Sequence, residues 1–313
     1  WLFGEMWNIL VSLLYPGISN MEGDAVITET AWTPSGRGRT ADFLNYYWVA
    51  FDQGDFRSWN KWRFVSQKHN APNYYSLGYL TLGGFRYLYE CPEIMSDVYH
   101  LAARRPYNIF AYNTTVKKLT GRKFNDAFME VCDTMYTLWN ASAEARRPYI
   151  PSEPVTPETR MYTDYTGNLV VGNDIYAIKK GHVDAPTLVR IDSTGREHRV
   201  SSFSHEAGRI QWSPALKRIY WSETKADTRW TLETESRIRY IGKDGKGSLR
   251  SSGLIHNPSA SGDRIAAVRY EIGGRSVLEI MDGKTGNILD SFTAPDSLQL
   301  VETAWNGDTV YAT

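Results

Sequence analysis

The chain has 313 residues, of which 42% are hydrophobic, and its 35 basic side chains balance 35 acidic ones. This length predicts two domains, and the hydrophobic content argues against a disordered chain. The balanced charge gives no support to a nucleic-acid partner, which a basic excess would indicate. Two cysteines, Cys91 and Cys132, exclude a disulfide scaffold and a zinc site built from cysteines, and they permit one disulfide or none.

The first 140 residues carry helical patterns. Residues 1–15 are apolar but contain Glu5 and lack a basic start, so we interpret them as a buried segment and not as a signal peptide. Helices are predicted over 22–30, over 77–90 and over 122–140. The last has one apolar face, formed by Phe124, Phe128, Val131, Met135, Leu138 and Trp139. No apolar run approaches the roughly 18 residues that span a bilayer, so we predict no transmembrane segment.

A proline-rich stretch follows the helical part. Pro148, Pro151, Pro154 and Pro157 recur at every third position, which is typical of a stiff, extended linker. We therefore predict a helical domain over 1–140, a linker over 141–162 and a β domain over 163–313.

The β domain contains an internal repeat. Its aligned positions Ile175, Ile219, Ile265 and Val310 lie 44, 46 and 45 residues apart, and each follows a polar turn. A second polar turn follows in each of the first three copies, within 190–195, 240–245 and 280–286. Four strands in about 45 residues is the period of a propeller blade, so the copies supply about three blades and the start of a fourth.

The segments 212–220 and 257–268 resemble the WD40-like repeats of TolB-type β-propellers. The combined Gly-His and Trp-Asp signature of true WD40 repeats is absent, which argues against that subfamily. The predicted fold class is multidomain α plus all-β: a mainly helical domain followed by a partial β-propeller. Because a closed propeller has at least four blades, we expect the natural protein to continue beyond Thr313.

Residues 20–31, Asn-Met-Glu-Gly-Asp-Ala-Val-Ile-Thr-Glu-Thr-Ala, resemble the gluzincin metallopeptidase segment that contributes the third zinc ligand. The resemblance covers about residues 1–140 and implies that Glu22 binds zinc. Downstream, 75–78 resembles the Tyr-x-x-Gly of aminopeptidase-type gluzincins, whose phenol stabilises the oxyanion of the intermediate. It implies Tyr75 as a catalytic residue, zinc as the cofactor, and a peptide or protein as the substrate.

Three charged residues near Glu22 are further candidates. Glu29 shares its helical face and is placed to hydrogen-bond a metal ligand, and Arg37 and Arg39 are placed to bind a substrate carboxylate. Structural alternatives stay open for each residue. Glu22 is then a first-turn acid favoured by the helix dipole, Glu29 a salt-bridged surface acid, and Tyr75 a core side chain. The two arginines then hold their loop through backbone carbonyls.

The resemblance departs from the family in one respect. A His-Glu-x-x-His helix must precede the third ligand, yet none of the six histidines forms that motif and none precedes Glu22. The chain begins with Trp1 and not with methionine, so we expect the motif upstream. We predict that this chain alone is inactive.

The leading functional hypothesis is a zinc metallopeptidase-like protein whose propeller docks a substrate or a protein partner. One alternative is a non-catalytic binding protein built on a decayed peptidase scaffold and a propeller. A third is a carbohydrate-binding or carbohydrate-processing protein, which the 13% aromatic content motivates. By resemblance alone, the combination of domains implies a bacterial protein of the periplasm or the cell exterior.

Overall fold

The computed structural model describes residues 17–64, 66, 69–203, 206–230, 233–249 and 253–313, with only the backbone of 206 and 207. The predicted buried segment 1–15 lies outside these residues. The chain divides into two compact units, Trp1–Ser152 and Glu153–Thr313, which we call the helical unit and the sheet unit. The division falls inside the stretch 141–162. The first residues of that stretch belong to a helix and not to an extended linker, because the last helix continues to Glu144.

The described part of the helical unit contains seven α-helices and one short 3₁₀ helix at Arg37–Arg39. The α-helices are α1 (Ile18–Trp32), α2 (Ala41–Asp52), α3 (Trp59–Arg63), α4 (Tyr74–Leu88), α5 (Ile94–Arg104), α6 (Ala111–Thr120) and α7 (Phe124–Glu144). The three predicted helices are confirmed as α1, α4 and α7, with ends shifted by two to four residues. The helices α2, α3, α5 and α6 were not predicted individually.

Local sequence signals explain the ends of two helices. At the start of α4 the Asn73 Oδ1 accepts a hydrogen bond from the backbone N–H of Ser76 at 3.1 Å, which satisfies one of the free amides of the first turn. At the end of α6, Gly121 adopts a φ of 71°. Glycine favours this left-handed cap because it has no Cβ to clash with the preceding turn.

Aromatic side chains fill the core of the helical unit. Tyr47, Phe51, Trp62, Phe85 and Phe128 are all at most 1% exposed. Both cysteines are buried as free thiols, so the structure contains no Cys91–Cys132 disulfide. The predicted apolar face of α7 is buried at Phe128 and Val131, but Leu138 is 41% exposed and does not belong to the core.

The sheet unit is built from antiparallel sheets. The first contains β1 (Thr163–Val171), β2 (Asp174–Gly181), β3 (Thr187–Ile191) and β4 (Glu197–Ser202), paired in chain order. In the second, β5 (Glu206–Ala207) and β6 (Gln211–Ser213) both pair with β7 (Arg218–Ala226), followed by β8 (Thr234–Gly242) and β9 (Gly245–Ser248). The third contains β10 (Leu254–Ser261), β11 (Arg264–Tyr270), β12 (Ser276–Asp282) and β13 (Ile288–Thr293). A hairpin of β14 (Thr303–Asn306) and β15 (Thr309–Ala312) ends the chain.

This strand order bears out the repeat. The aligned positions Ile175, Ile219, Ile265 and Val310 lie on β2, β7, β11 and β15. Each of these strands pairs with the strand or strands that begin its sheet. The second polar turns of the first three copies connect β3 to β4, β8 to β9 and β12 to β13. The fold is therefore α plus all-β, with helices in one unit and antiparallel sheets of two to five strands in the other.

The turn before each of these strands needs a residue with a left-handed backbone. Glycine supplies it in three copies, at Gly172, Gly262 and Gly307, with φ between 57° and 63°. In the second copy the residue is Lys217, with a φ of 52°. A residue with a Cβ is strained in this conformation by roughly 1–2 kcal/mol.

We therefore expect Lys217→Gly to stabilise the sheet unit by about 1 kcal/mol, because the substitution removes the Cβ clash. Chemical denaturation followed by the β-sheet circular dichroism signal measures the change. Gly262→Ala is the matched control and should destabilise the unit by a similar amount. Equal stability of Lys217→Gly and the natural chain would contradict the strained turn.

Neighbouring sheets are joined by buried side chains and by hydrogen bonds. Trp221 of the second sheet packs on Leu188 and Phe203 of the first. The Ser213 hydroxyl donates to the carbonyl of Gly262 in the third sheet at 2.7 Å. The Ser259 and Thr303 hydroxyls share a hydrogen bond of 2.8 Å between the third sheet and the terminal hairpin. Each sheet thus contacts the next one along the chain.

Within the part of the chain that the structure describes, no helix is long and apolar enough to cross a membrane.

Candidate active site

Two glycines bring the helices α1 and α4 into backbone contact. A Cβ on Gly78 would lie 1.6 Å from the carbonyl oxygen of Ser19, and one on Gly23 would lie 2.2 Å from the carbonyl carbon of Gly78. Neither position has room for a side chain. Gly23 therefore packs directly against the backbone of α4.

The same crossing brings Glu22 and Tyr75 together. Glu22 directly precedes Gly23, and Tyr75 lies about one helical turn before Gly78. Although 53 residues separate them in sequence, the negative charge of Glu22 acts on the Tyr75 phenol, so the two side chains are neighbours. The close backbone approach at Gly23 and Gly78 therefore places Glu22 next to Tyr75.

The surroundings of the Tyr75 phenol disfavour its deprotonation. Its ring stacks on that of Tyr74 with centroids 4.7 Å apart. A hydrogen bond with Tyr74, loss of solvent and the negative charge of Glu22 together raise the pKa of Tyr75 above its ordinary value. The phenol therefore stays an O–H donor at neutral pH, which is the form that can stabilise developing negative charge on an oxygen.

Arg37 connects Glu29 to Tyr75. Its Nε and Nη2 lie 3.0 and 2.9 Å from Glu29 Oε2, and its backbone N–H donates to Glu29 Oε1 at 3.0 Å. Its guanidinium carbon lies 5.1 Å from the centroid of the Tyr75 ring, in a cation–π arrangement. The hydrogen bonds from Arg37 lower the pKa of Glu29. Glu29 is thus a salt-bridged acid, which is the structural alternative for this residue. Its carboxylate holds Arg37 beside Tyr75.

The loop that carries the two arginines is held tightly against α1. A Cβ on Gly36 would lie 2.3 Å from the Cα of Thr30, and one on Gly38 would lie 2.4 Å from the ring of Tyr79. The Arg39 side chain donates to the backbone carbonyls of Thr30 and Thr33. Arg39 therefore holds the loop, whereas Arg37 faces the Glu22–Tyr75 pair.

The residues present do not make a complete zinc site. A catalytic zinc takes three protein ligands, and Glu22 is the one that the resemblance assigns within this chain. Over the described residues there is no group of three His, Cys, Asp or Glu side chains that could hold a metal ion. The helical unit thus presents a carboxylate, a phenol and a guanidinium, but not the remaining ligands.

A cavity of about 480 Å³ opens beside Gly38, next to Arg37 in the chain. Trp48 and Trp139 form its aromatic wall, and Asp42 and Arg146 contribute opposite charges. The Trp48 indole N–H donates to Asn140 Oδ1 at 2.9 Å, which joins α2 to α7. This cavity was not predicted from the sequence, because its only sequence signal is the high aromatic content. The two tryptophans of its wall, Trp48 and Trp139, lie about 90 residues apart in the chain.

The sheet unit has a cavity of its own, of about 570 Å³, between the first and second sheets. Tyr176, Val200 and Trp212 line it together with the charged Asp174 and Lys217. It offers space for a ligand or a peptide between the two sheets.

No protein-family profile and no curated protein matches the chain. Solved structures with similar folds include the β-propeller domain of the Trilobed protease from Pyrococcus furiosus, at 13% identity and a TM-score of 0.38, covering 48% of this chain and 47% of that one. Pyrococcus horikoshii acylaminoacyl peptidase matches at 13% identity and a TM-score of 0.37, covering 48% and 27%. TolB from Acinetobacter baumannii matches at 20% identity and a TM-score of 0.30, covering 38% and 30%.

This chain therefore spans about half the length of the first of these structures and about a quarter of the second. At such TM-scores the similarities carry no argument about function. The assignment of propeller-like blades rests on the strand order and on the repeat, and these comparisons do not show a gluzincin domain.

Proposed function

We propose that the helical unit contributes Glu22 as a zinc ligand and Tyr75 as an oxyanion donor to a gluzincin-type peptidase site. The observation that carries the proposal is the meeting of these two residues at the Gly23–Gly78 crossing. The two motifs were proposed from separate parts of the sequence, and a common peptidase site requires their side chains to be neighbours.

In this proposal the protein's own residues have distinct roles. Tyr75 donates a hydrogen bond to the peptide carbonyl oxygen as negative charge develops on it. Arg37, held by Glu29, lies on the Tyr75 ring and orients the phenol. The sheet unit, with its cavity between two sheets, docks the substrate or a protein partner.

Peptide mapping by mass spectrometry of the protein from its native source tests the proposal directly. The measurement reads the residues that adjoin Trp1. A His-Glu-x-x-His motif there supplies the two histidine ligands and the general base that the described residues lack. A sequence in which this motif is degenerate or absent overturns the peptidase proposal.

Tyr75→Phe in the protein expressed from its complete gene tests the role of the phenol. We expect peptidase kcat to fall about 10²–10³-fold, with KM and zinc content nearly unchanged, because an oxyanion donor acts mainly in the transition state. Tyr87→Phe, on the exposed end of the same helix, is the matched control and should keep full activity. An unchanged kcat in Tyr75→Phe would remove this residue from the mechanism.

The second candidate is a non-catalytic binding protein on the same scaffold. A degenerate His-Glu-x-x-His motif upstream of Glu22 would favour it. The cavity walled by Trp48 and Trp139 is then the expected binding site, since aromatic walls with a few polar groups are typical of ligand cavities. The peptide map separates the two candidates, because only the peptidase requires the upstream histidines.

A further inference from the structure

A strongly basic segment stands out in this electrically neutral chain. Between Val98 and Asn125 there is no acidic residue, while six basic residues occur: Arg104, Arg105, Lys117, Lys118, Arg122 and Lys123. Arg122 pairs with Glu130 at 3.4 Å. In the part of the chain that the structure describes, the four residues Arg104, Arg105, Lys117 and Lys118 have no acidic partner within 4 Å, and all four are exposed. We call these four the basic flank.

Three large apolar side chains project from the loop inside this segment. Tyr107, Ile109 and Phe110 are 80%, 67% and 63% exposed, and we call them the apolar tip. Single exposed apolar residues are common on protein surfaces, but three within four positions form a patch of the kind that marks an interaction surface.

The loop holds the tip in the exposed position by specific hydrogen bonds. The Asn108 backbone N–H donates to the carbonyl of Arg105 at 2.9 Å, and its Oδ1 accepts from the Phe110 N–H at 3.1 Å. The Thr114 hydroxyl donates to the carbonyl of Phe110 at 2.9 Å, which anchors the loop to the first turn of α6. The exposure of the tip is therefore part of an ordered turn.

Phe110 of the tip and half of the flank lie on one side of α6. Positions 110, 114, 117 and 118 share a face of the helix because they are three to four residues apart. The opposite face of α6 is buried through Ala111, Tyr112, Thr115 and Val116. Phe110 thus stands at one end of an exposed surface whose other end carries Lys117 and Lys118, and Arg104 and Arg105 directly precede the tip in the chain.

From this juxtaposition we infer that the apolar tip and the basic flank form a peripheral membrane-binding site for an anionic phospholipid surface. Tyrosine and phenylalanine suit the boundary between lipid headgroups and acyl chains, and Ile109 suits the acyl region. Unpaired arginine and lysine side chains are attracted to anionic headgroups. A nucleic-acid surface would use the basic flank and the aromatic rings, but it offers no apolar phase for Ile109. The inference does not depend on the proposed peptidase function.

Co-sedimentation of the full chain with vesicles tests the inference. We expect binding to vesicles in which about one third of the phosphatidylcholine is replaced by phosphatidylglycerol, and at least tenfold weaker binding to pure phosphatidylcholine. Salt at about 0.5 M should weaken the binding, because it screens the headgroup charge. No binding to the anionic vesicles would overturn the inference.

Two variants separate the contributions of charge and apolar contact. Neutralising the flank with Arg104→Gln, Arg105→Gln, Lys117→Gln and Lys118→Gln should lower the partition coefficient at least tenfold. The largest expected loss is roughly fivefold for each charge removed. Polar replacement of the tip with Ile109→Ser and Phe110→Ser should lower it at least fivefold. All six residues are exposed, so both variants are expected to fold.

Matched controls come from the sheet unit. One control removes the same charge from four exposed lysines, with Lys225→Gln, Lys243→Gln, Lys246→Gln and Lys284→Gln. The other removes similar exposed apolar surface, with Val183→Ser and Ile272→Ser. Both controls should bind like the natural chain. Equal loss in the controls would overturn the assignment to this loop. Tight binding to a single-stranded RNA that needs the flank but not the tip would identify a nucleic-acid surface instead.

Discussion

Gly78→Ala is expected to lower the free energy of unfolding of the helical unit by about 3 kcal/mol, the upper end of the usual cost of overpacking. The added Cβ would stand 1.6 Å from the carbonyl oxygen of Ser19. That oxygen belongs to the backbone of α1, so no side-chain rotation can relieve the clash, and α1 must move away from α4. Urea denaturation followed by the helical circular dichroism signal measures the loss.

Gly83→Ala on the same helix is the matched control. Its Cβ would have Ile27 Cδ1, at 4.0 Å, as its nearest neighbour, so there is space for the methyl group. Alanine is the better helix former by up to about 1 kcal/mol, and this variant should be slightly more stable than the natural chain. If the two variants had the same stability, the close crossing of α1 and α4 would be wrong.

The second large effect is expected for Trp221→Ala, which should destabilise the sheet unit by about 3–5 kcal/mol. Trp221 is 2% exposed and packs edge to face on Phe203, with ring centroids 5.5 Å apart. Its removal leaves a cavity between the first and second sheets that surrounding side chains such as Ile178 and Leu188 fill only in part. Hydrogen exchange read by mass spectrometry should show faster exchange in peptides from both sheets.

Trp230→Ala provides the comparison for this substitution. Trp230 is 58% exposed, so its replacement should change stability by no more than about 0.5 kcal/mol. Comparable losses in the two variants would mean that Trp221 does not fill the space between the sheets.

The repeat in the sheet unit was predictable because each copy is short and regular. A polar turn, an apolar strand and a second turn recur in each full copy, and these local signals need no knowledge of distant contacts. The second copy departs from this pattern, since its left-handed residue is Lys217, one position closer to the following strand than the glycine of the other copies. The position was visible in the sequence, but its strain was not.

The helix α2 shows why part of the helical unit was missed. Its sequence contains Tyr46, Tyr47, Trp48, Val49 and Phe51, which are residue types that favour strands. Burial of Tyr47 and Phe51 in the aromatic core stabilises the helix despite that preference. Tertiary packing therefore determines the helical conformation of α2, and such packing cannot be predicted from a short window of sequence.

The candidate site was predictable as a set of residues but not as an arrangement. Motif resemblance selected Glu22 and Tyr75, and their position near Glu22 added Glu29, Arg37 and Arg39. The structure places Glu22, Tyr75, Arg37 and Glu29 close together, whereas Arg39 holds its loop. The salt bridge of Glu29 with Arg37 and the cation–π contact of Arg37 with Tyr75 depend on how the loop 33–40 folds back on α1, which no residue spacing determines.

The hydrogen bonds between successive sheets have a consequence for how the sheet unit tolerates sequence change. Ser213 donates to the carbonyl of Gly262, and Ser261 donates to that of Gly307 at 3.3 Å, so similar contacts join the second sheet to the third and the third to the terminal hairpin. In such a linear array, energetic coupling is confined to adjacent members. Substitutions in the first sheet and in the terminal hairpin should therefore act additively on folding energy, and one sheet can diverge in sequence while the others stay unchanged.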